Sequence, residues 1–220
     1  MNYKEFLEKV KEYQKYTKYV IYDLALSVVS RNTIDSPETI AGVYILLLRW
    51  NIKRYYGKGS SEFEKEIARF KELLTKYKYC IHALRKLGKF ENINFDAELP
   101  EMNKKIKDII IELFDEFSNV LGSTGASKAL HLLIPNIFIM WDTKIREYYK
   151  LGDSASDYLQ FLKTMQRVLN DILRSYMQEH NVGKEQALKQ LLSIAYGDKT
   201  RPITKLLDEY NWIICKQSCK

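Results

Sequence analysis

Apolar residues in this chain recur three or four positions apart almost from end to end, and no stretch alternates apolar with polar for long enough to make a useful strand. That period confines the chain to a fold built of helices. Phe6, Val10 and Tyr13, then Val20, Leu24, Leu26 and Val28, predict a first helix ending near residues 30–35. Ser36-Pro37-Glu38 opens the next, because serine caps the free N–H groups, proline tolerates the first helical position and an acid suits the dipole. From residue 40 to 50 that helix is apolar nearly all round, which predicts a central place.

Further helices are predicted over 62–79, continued or restarted over 80–87 before Gly88, and over 100–120, 154–179, 184–195 and 202–215, with residues 90–99 as a loop. Together these give an all-α chain of about eight or nine helices in a multi-helix orthogonal architecture rather than a simple bundle. The 220 residues suffice for one helical unit over 1–220. A division into two lobes also fits, 1–35 with 150–220 forming one and 36–149 the other.

Charge and cysteine content narrow the partners. Lys and Arg number 35 against 28 Asp and Glu, a net +7. The excess is spread through the chain, with 14 basic and 10 acidic residues from Leu121 on and 21 and 18 before it, so an anionic partner would meet a folded face rather than a tail. Cys80, Cys215 and Cys219 make no even disulfide framework and no complete metal set, so they read as buried or idle thiols, and no metal or cofactor is expected. The apolar runs are too short to cross a bilayer and residues 1–18 lack the apolar core of a signal peptide, which together predict a cytoplasmic protein with no membrane partner. Abundant Tyr, Ile and Lys with few Gly and Pro suit a thermophile.

One segment carries chemistry. Leu121-Gly122-Ser123-Thr124-Gly125-Ala126-Ser127-Lys128-Ala129 predicts a tight two-glycine turn between helices, whose bare N–H groups would suit a phosphate. A helix with Leu130, His131 and Leu132 follows to Pro135, and an apolar run ending in Trp141 delivers Asp142 and Thr143 to the start of another helix carrying Lys144 and Arg146.

This segment resembles the helix-hairpin-helix DNA glycosylase superfamily, whose hairpin reads roughly L-P-G-V-G-x-K-x-A and whose aspartate opens a short helix. Leu121, Gly125 and Ala129 fall in matching places, followed by Pro135 and Asp142-Thr143-Lys144-Ile145. Gly122 and Ser123 stand where the family has Pro and its first Gly, and the run to the aspartate is a few residues shorter. The match is close over about 25 residues and architectural elsewhere. It implies an enzyme acting on double-stranded DNA that contains a damaged base. Asp142 would stabilise the positive charge that grows on the sugar as the base departs. Lys128 would be the amine of an associated lyase, although an ungapped alignment puts Ser127 at that position. Gly122, Ser123, Thr124, Gly125, Ser127, Lys144 and Arg146 would hold the DNA backbone, and Trp50, His131 and Trp141 are candidates to receive the extruded base.

Two other readings stay open. The same hairpin fits a non-catalytic helical module binding DNA or protein, with Asp142 only a helix cap. Arg174 and His180 resemble the Arg-x(4–6)-His signature of HEPN-type ribonucleases.

Overall fold

A computed structural model describes residues 2–17 and 19–218. Helix α1 (Tyr3–Tyr16) begins where the Asn2 side chain accepts the Lys4 amide at 2.9 Å, and buries Phe6, Leu7, Val10 and Tyr13. The chain then breaks at Thr17, which is extended, and α2 (Val20–Arg31) starts afresh. The single helix expected here is therefore two. The aromatic and β-branched residues Tyr16, Thr17, Tyr19 and Val20 lose side-chain freedom in a helix and sustain it poorly. The break also resets the buried face: α2 buries Tyr22, Ala25 and Val29 and leaves Val20 and Leu24 exposed.

Helix α3 (Pro37–Trp50) starts as its sequence dictates, with the Ser36 hydroxyl accepting the Thr39 amide at 3.1 Å. It packs on α2 so closely that a Cβ on Gly42 would stand 2.9 Å from Val29 Cγ2. Helix α4 (Ser60–Arg85) is continuous, so residues 80–85 continue the helix rather than restart it. A two-residue antiparallel pair, Glu98–Leu99 with Lys104–Lys105, then delays the following helix, so α5 (Ile106–Leu133) begins six residues later than its apolar pattern suggests. After α5 come α6 (Thr143–Tyr149), α7 (Ala155–His180), α8 (Lys184–Tyr196) and α9 (Ile203–Ser218), making nine α-helices among the described residues. The all-α multi-helix architecture is the one expected. No helix among the described residues is long and apolar enough to cross a membrane.

The buried side chains form one contiguous cluster. Helix α5 runs through its middle, packed on α2, α3, α4 and α7, while α9 closes the fold against α1 and α6. Between α5 and α6 the buried stretch 137–141 has no regular structure, and side chains take up its backbone groups. Tyr158 Oη donates to the Ile139 carbonyl at 2.7 Å and accepts the Ile139 amide, His131 Nδ1 bonds the Phe138 carbonyl at 2.7 Å, and the Ser127 hydroxyl bonds the Trp141 backbone at 3.2 Å. Buried backbone without such partners would destabilise the fold. These contacts fix the course of the chain into Asp142.

Candidate functional site

A cleft of about 700 Å³ opens where α1, α2, α3, α5, α6 and α9 meet. Lys128 comes to it from α5, Asp142 from the start of α6, Arg49 and Trp50 from the end of α3, Tyr13 and Thr17 from the end of α1, and Asp208 and Trp212 from α9. With Val20 and Ile21 of α2, six separate elements converge on one concavity, which is what a site for a bound molecule requires.

Asp142 caps α6: its Oδ1 accepts the Ile145 amide at 3.0 Å while the half-buried carboxylate still borders the cleft. Lys128 is only 8% exposed, and its Nζ donates to the Trp50 carbonyl at 2.5 Å. That carbonyl is one of the last of α3, left without a helical partner and negative in the helix dipole, so it welcomes an N–H donor. Burial brings the Lys128 amine down to about 8, opposed by the carboxylates of Asp142 and Asp208 and assisted by the ammonium of Lys205. At pH 7 about a tenth of the amine is then unprotonated. Trp50 is half-buried, and its ring stacks on Tyr22 with centroids 6.1 Å apart and planes 7° from parallel.

Adjacent residues on a helix point about 100° apart, and this divides Ser127 from Lys128. The Ser127 hydroxyl turns inward to the Trp141 backbone and the Thr124 carbonyl, fully enclosed, whereas Lys128 lines the cleft. Of the two positions left open by the sequence, Lys128 is the one beside Asp142.

The helical run does break where the two-glycine turn was expected, but at one glycine only: within 106–133 two helical segments meet at a sharp kink at Gly122, whose φ of +70° and ψ of 158° are open to glycine and few other residues. Gly125 lies inside the helix, where an added Cβ would crowd Leu121 at 3.0 Å. The backbone exposed by the kink is covered by Arg54, which donates to the Val120 carbonyl at 2.8 Å. Ser123 and Thr124 are half-buried, and the Ser123 hydroxyl accepts from Arg146, whose guanidinium also reaches Thr143 Oγ1 at 3.1 Å and lies over the Trp141 ring. Lys144 is exposed beside the mouth of the cleft.

His131 is not a pocket residue. It is fully enclosed, its Nδ1 bonded to the Phe138 carbonyl and its Nε2 2.8 Å from Tyr22 Oη. A carbonyl only accepts, so Nδ1 carries the proton and Nε2 receives the tyrosine's. Burial pushes the imidazole down to about 3, leaving it neutral. Trp141 borders the cleft but is 1% exposed, its ring held among Phe114, Tyr158 and Phe161, so it supports the wall instead of offering a face. Arg174 and His180 are a third of a turn apart on α7 and do not touch. Arg174 pairs with Asp171, and the His180 Nε2 lies 3.0 Å from Tyr3 Oη. Cys80 is buried, its thiol pushed up to about 12 by burial, Cys215 is buried too, and Cys219 lies outside the described residues. Among the described residues no group of three His, Cys, Asp or Glu is gathered to hold a metal.

Tyr13, Arg49, Asp208 and Trp212 were not anticipated. No sequence pattern marked them, and only the fold shows that on α9 Thr204, Lys205, Asp208, Glu209 and Asn211 are all buried although their residue types ordinarily face solvent. No family model, curated protein or solved structure matches the chain.

Proposed function

We propose that this protein is a DNA base-excision glycosylase that cleaves the N-glycosidic bond of a damaged base turned out of the duplex, with an associated lyase activity. The observation that carries the reading is the presence of Lys128, its amine brought near neutral pH, and Asp142 on the wall of one cleft beside the half-open ring of Trp50. An extruded base would stack on an aromatic face. As its bond to the sugar breaks, the base leaves with the bonding electrons and takes up a proton, and the Asp142 carboxylate stabilises the cationic sugar. The neutral Lys128 amine attacks the sugar C1′, loses its proton and, on ring opening, holds the sugar as an imine. The net charge of +7 suits a polyanionic partner.

The test is a panel of duplexes, each bearing one oxidised, deaminated or alkylated base. One of them should be cut, Asp142→Asn should abolish cutting while DNA affinity persists, and borohydride should trap the protein on the cut strand except in Lys128→Gln. The alternative of a non-catalytic DNA-binding module is favoured by the Ile145 bond, since a carboxylate engaged as a helix cap has a structural reason to be there. Salt-sensitive binding with no product from any duplex would decide for the module.

A further inference from the structure

Behind the cleft wall lies a charge that the proposed chemistry does not use. Lys205 of α9 is fully enclosed, with its ammonium 2.6 Å from Asp208 Oδ2, 3.6 Å from Glu209 Oε1 and 3.4 Å from Tyr13 Oη. The rings of Tyr13, Trp50 and Tyr22 surround it, with centroids at 4.8, 5.2 and 5.3 Å. Enclosed ion pairs are weak contributors to stability, because desolvation of both charges offsets their attraction. Three of its neighbours, Asp208, Tyr13 and Trp50, line the cleft, while Lys205 does not.

We propose that Lys205 is a positioning residue for the Lys128 amine, holding Asp208, Tyr13 and Trp50 in the cleft wall and setting the charge around that amine without touching substrate. Its reach to Lys128 runs through one shared residue: the Trp50 whose ring faces Lys205 supplies the carbonyl that Lys128 bonds. The charged and titratable groups around Lys128 are Asp142 from the start of α6, Asp208 and Lys205 from α9, Arg49 from α3 and Tyr13 from α1. Lys205 acts on the amine twice. It repels a second positive charge, and it neutralises Asp208, which would otherwise favour the protonated form of Lys128.

The inference concerns the same cleft as the proposed glycosylase but is tested without DNA. The full chain is treated with glycolaldehyde and cyanoborohydride across a range of pH, and modification at each lysine is read by peptide mass spectrometry, with exposed Lys144 as the internal reference. In Lys205→Met the midpoint for Lys128 should rise by about one pH unit, so that below the midpoint the labelling rate falls about tenfold, while Lys144 is unmoved. Lys205→Arg, which keeps the charge, should stay near the native midpoint. Asp208→Asn should move the midpoint the other way, since it removes an anion and leaves the Lys205 charge paired with Glu209 alone, and Lys205→Gln, which also removes the charge, decides the matter if Lys205→Met fails to fold. A midpoint unchanged in a folded variant that lacks the Lys205 charge would overturn the proposal. A shifted amine in a protein that cuts none of the duplexes would retain the positioning role and dismiss the glycosylase, and cutting without a shift would do the reverse.

Discussion

The Nζ of Lys128 donates to the backbone carbonyl of Trp50 at 2.5 Å, so a lysine in the middle of one helix closes the C-terminal end of another. The bond fixes both the amine and the aromatic ring beside it. It also leaves the protein with a cation that would be better solvated if unfolded.

That cost is visible in the pH dependence of stability. The Lys128 amine falls from its ordinary 10.5 to about 8 in the folded protein, so between those values the unfolded chain binds more protons than the native one and stability rises with pH. The difference amounts to about 3 kcal/mol across the window. Chemical denaturation of native protein and Lys128→Met between pH 8 and pH 10 should show this rise in the first and its loss in the second.

His131 produces a slope of the same sign at acid pH. Its imidazole is held down at about 3 from an ordinary 6.5, so as pH falls below 6.5 the unfolded state gains a proton that the native state refuses. Stability should decline by about 1.4 kcal/mol per pH unit over this range. His131→Phe should remove this contribution and leave the slope of the paired carboxylates such as Glu112, and it should lower stability near pH 7 by about 2 to 4 kcal/mol because Tyr22 and the Phe138 carbonyl lose their partner.

Asp142 caps a helix and borders the cleft, and two substitutions separate the roles. Asparagine caps as well as aspartate, so Asp142→Asn should leave the thermal midpoint nearly unchanged while removing the charge on which glycosylase activity depends. Asp142→Ala should cost about 1 kcal/mol as well. If Asp142→Asn cuts damaged duplex at the native rate, the carboxylate has no catalytic role.

Gly122→Ala should destabilise the protein by about 1 to 3 kcal/mol, because the backbone there is strained for any side chain and the new Cβ would lie 3.0 Å from the Arg54 guanidinium that covers the Val120 carbonyl. A thermal melt lowered by several degrees would show it. An unchanged melt would mean that the kink at Gly122 relaxes without cost.

Some of this protein was written in short-range patterns. The start of α3 at Ser36-Pro37, the cap made by Asp142 and the all-helical class each depend on residues within one or two turns of each other, so they could be recognised from the chain alone. Apolar spacing misjudged the join between α1 and α2, where four residues with poor helical tolerance sit together, and the run into α5, where a small antiparallel pair takes the place of a first turn. The glycines at 122 and 125 look alike in sequence, yet one makes a kink and the other permits close packing.

The tertiary structure alone decided which side chains share the cleft. Ser127 and Lys128 are neighbours with equal access to either role until Trp141 presents its backbone on one side and Trp50 its carbonyl on the other. Asp208, and Lys205 behind it, lie more than sixty residues beyond Asp142, and Asp208 comes to the same wall only because α9 folds back across α1 and α6. Helical caps and stripes are set by near neighbours. Burial and charge depend on what distant helices bring, and it is burial that changes Lys128 from an ordinary surface-type residue into an amine titrating near neutral pH.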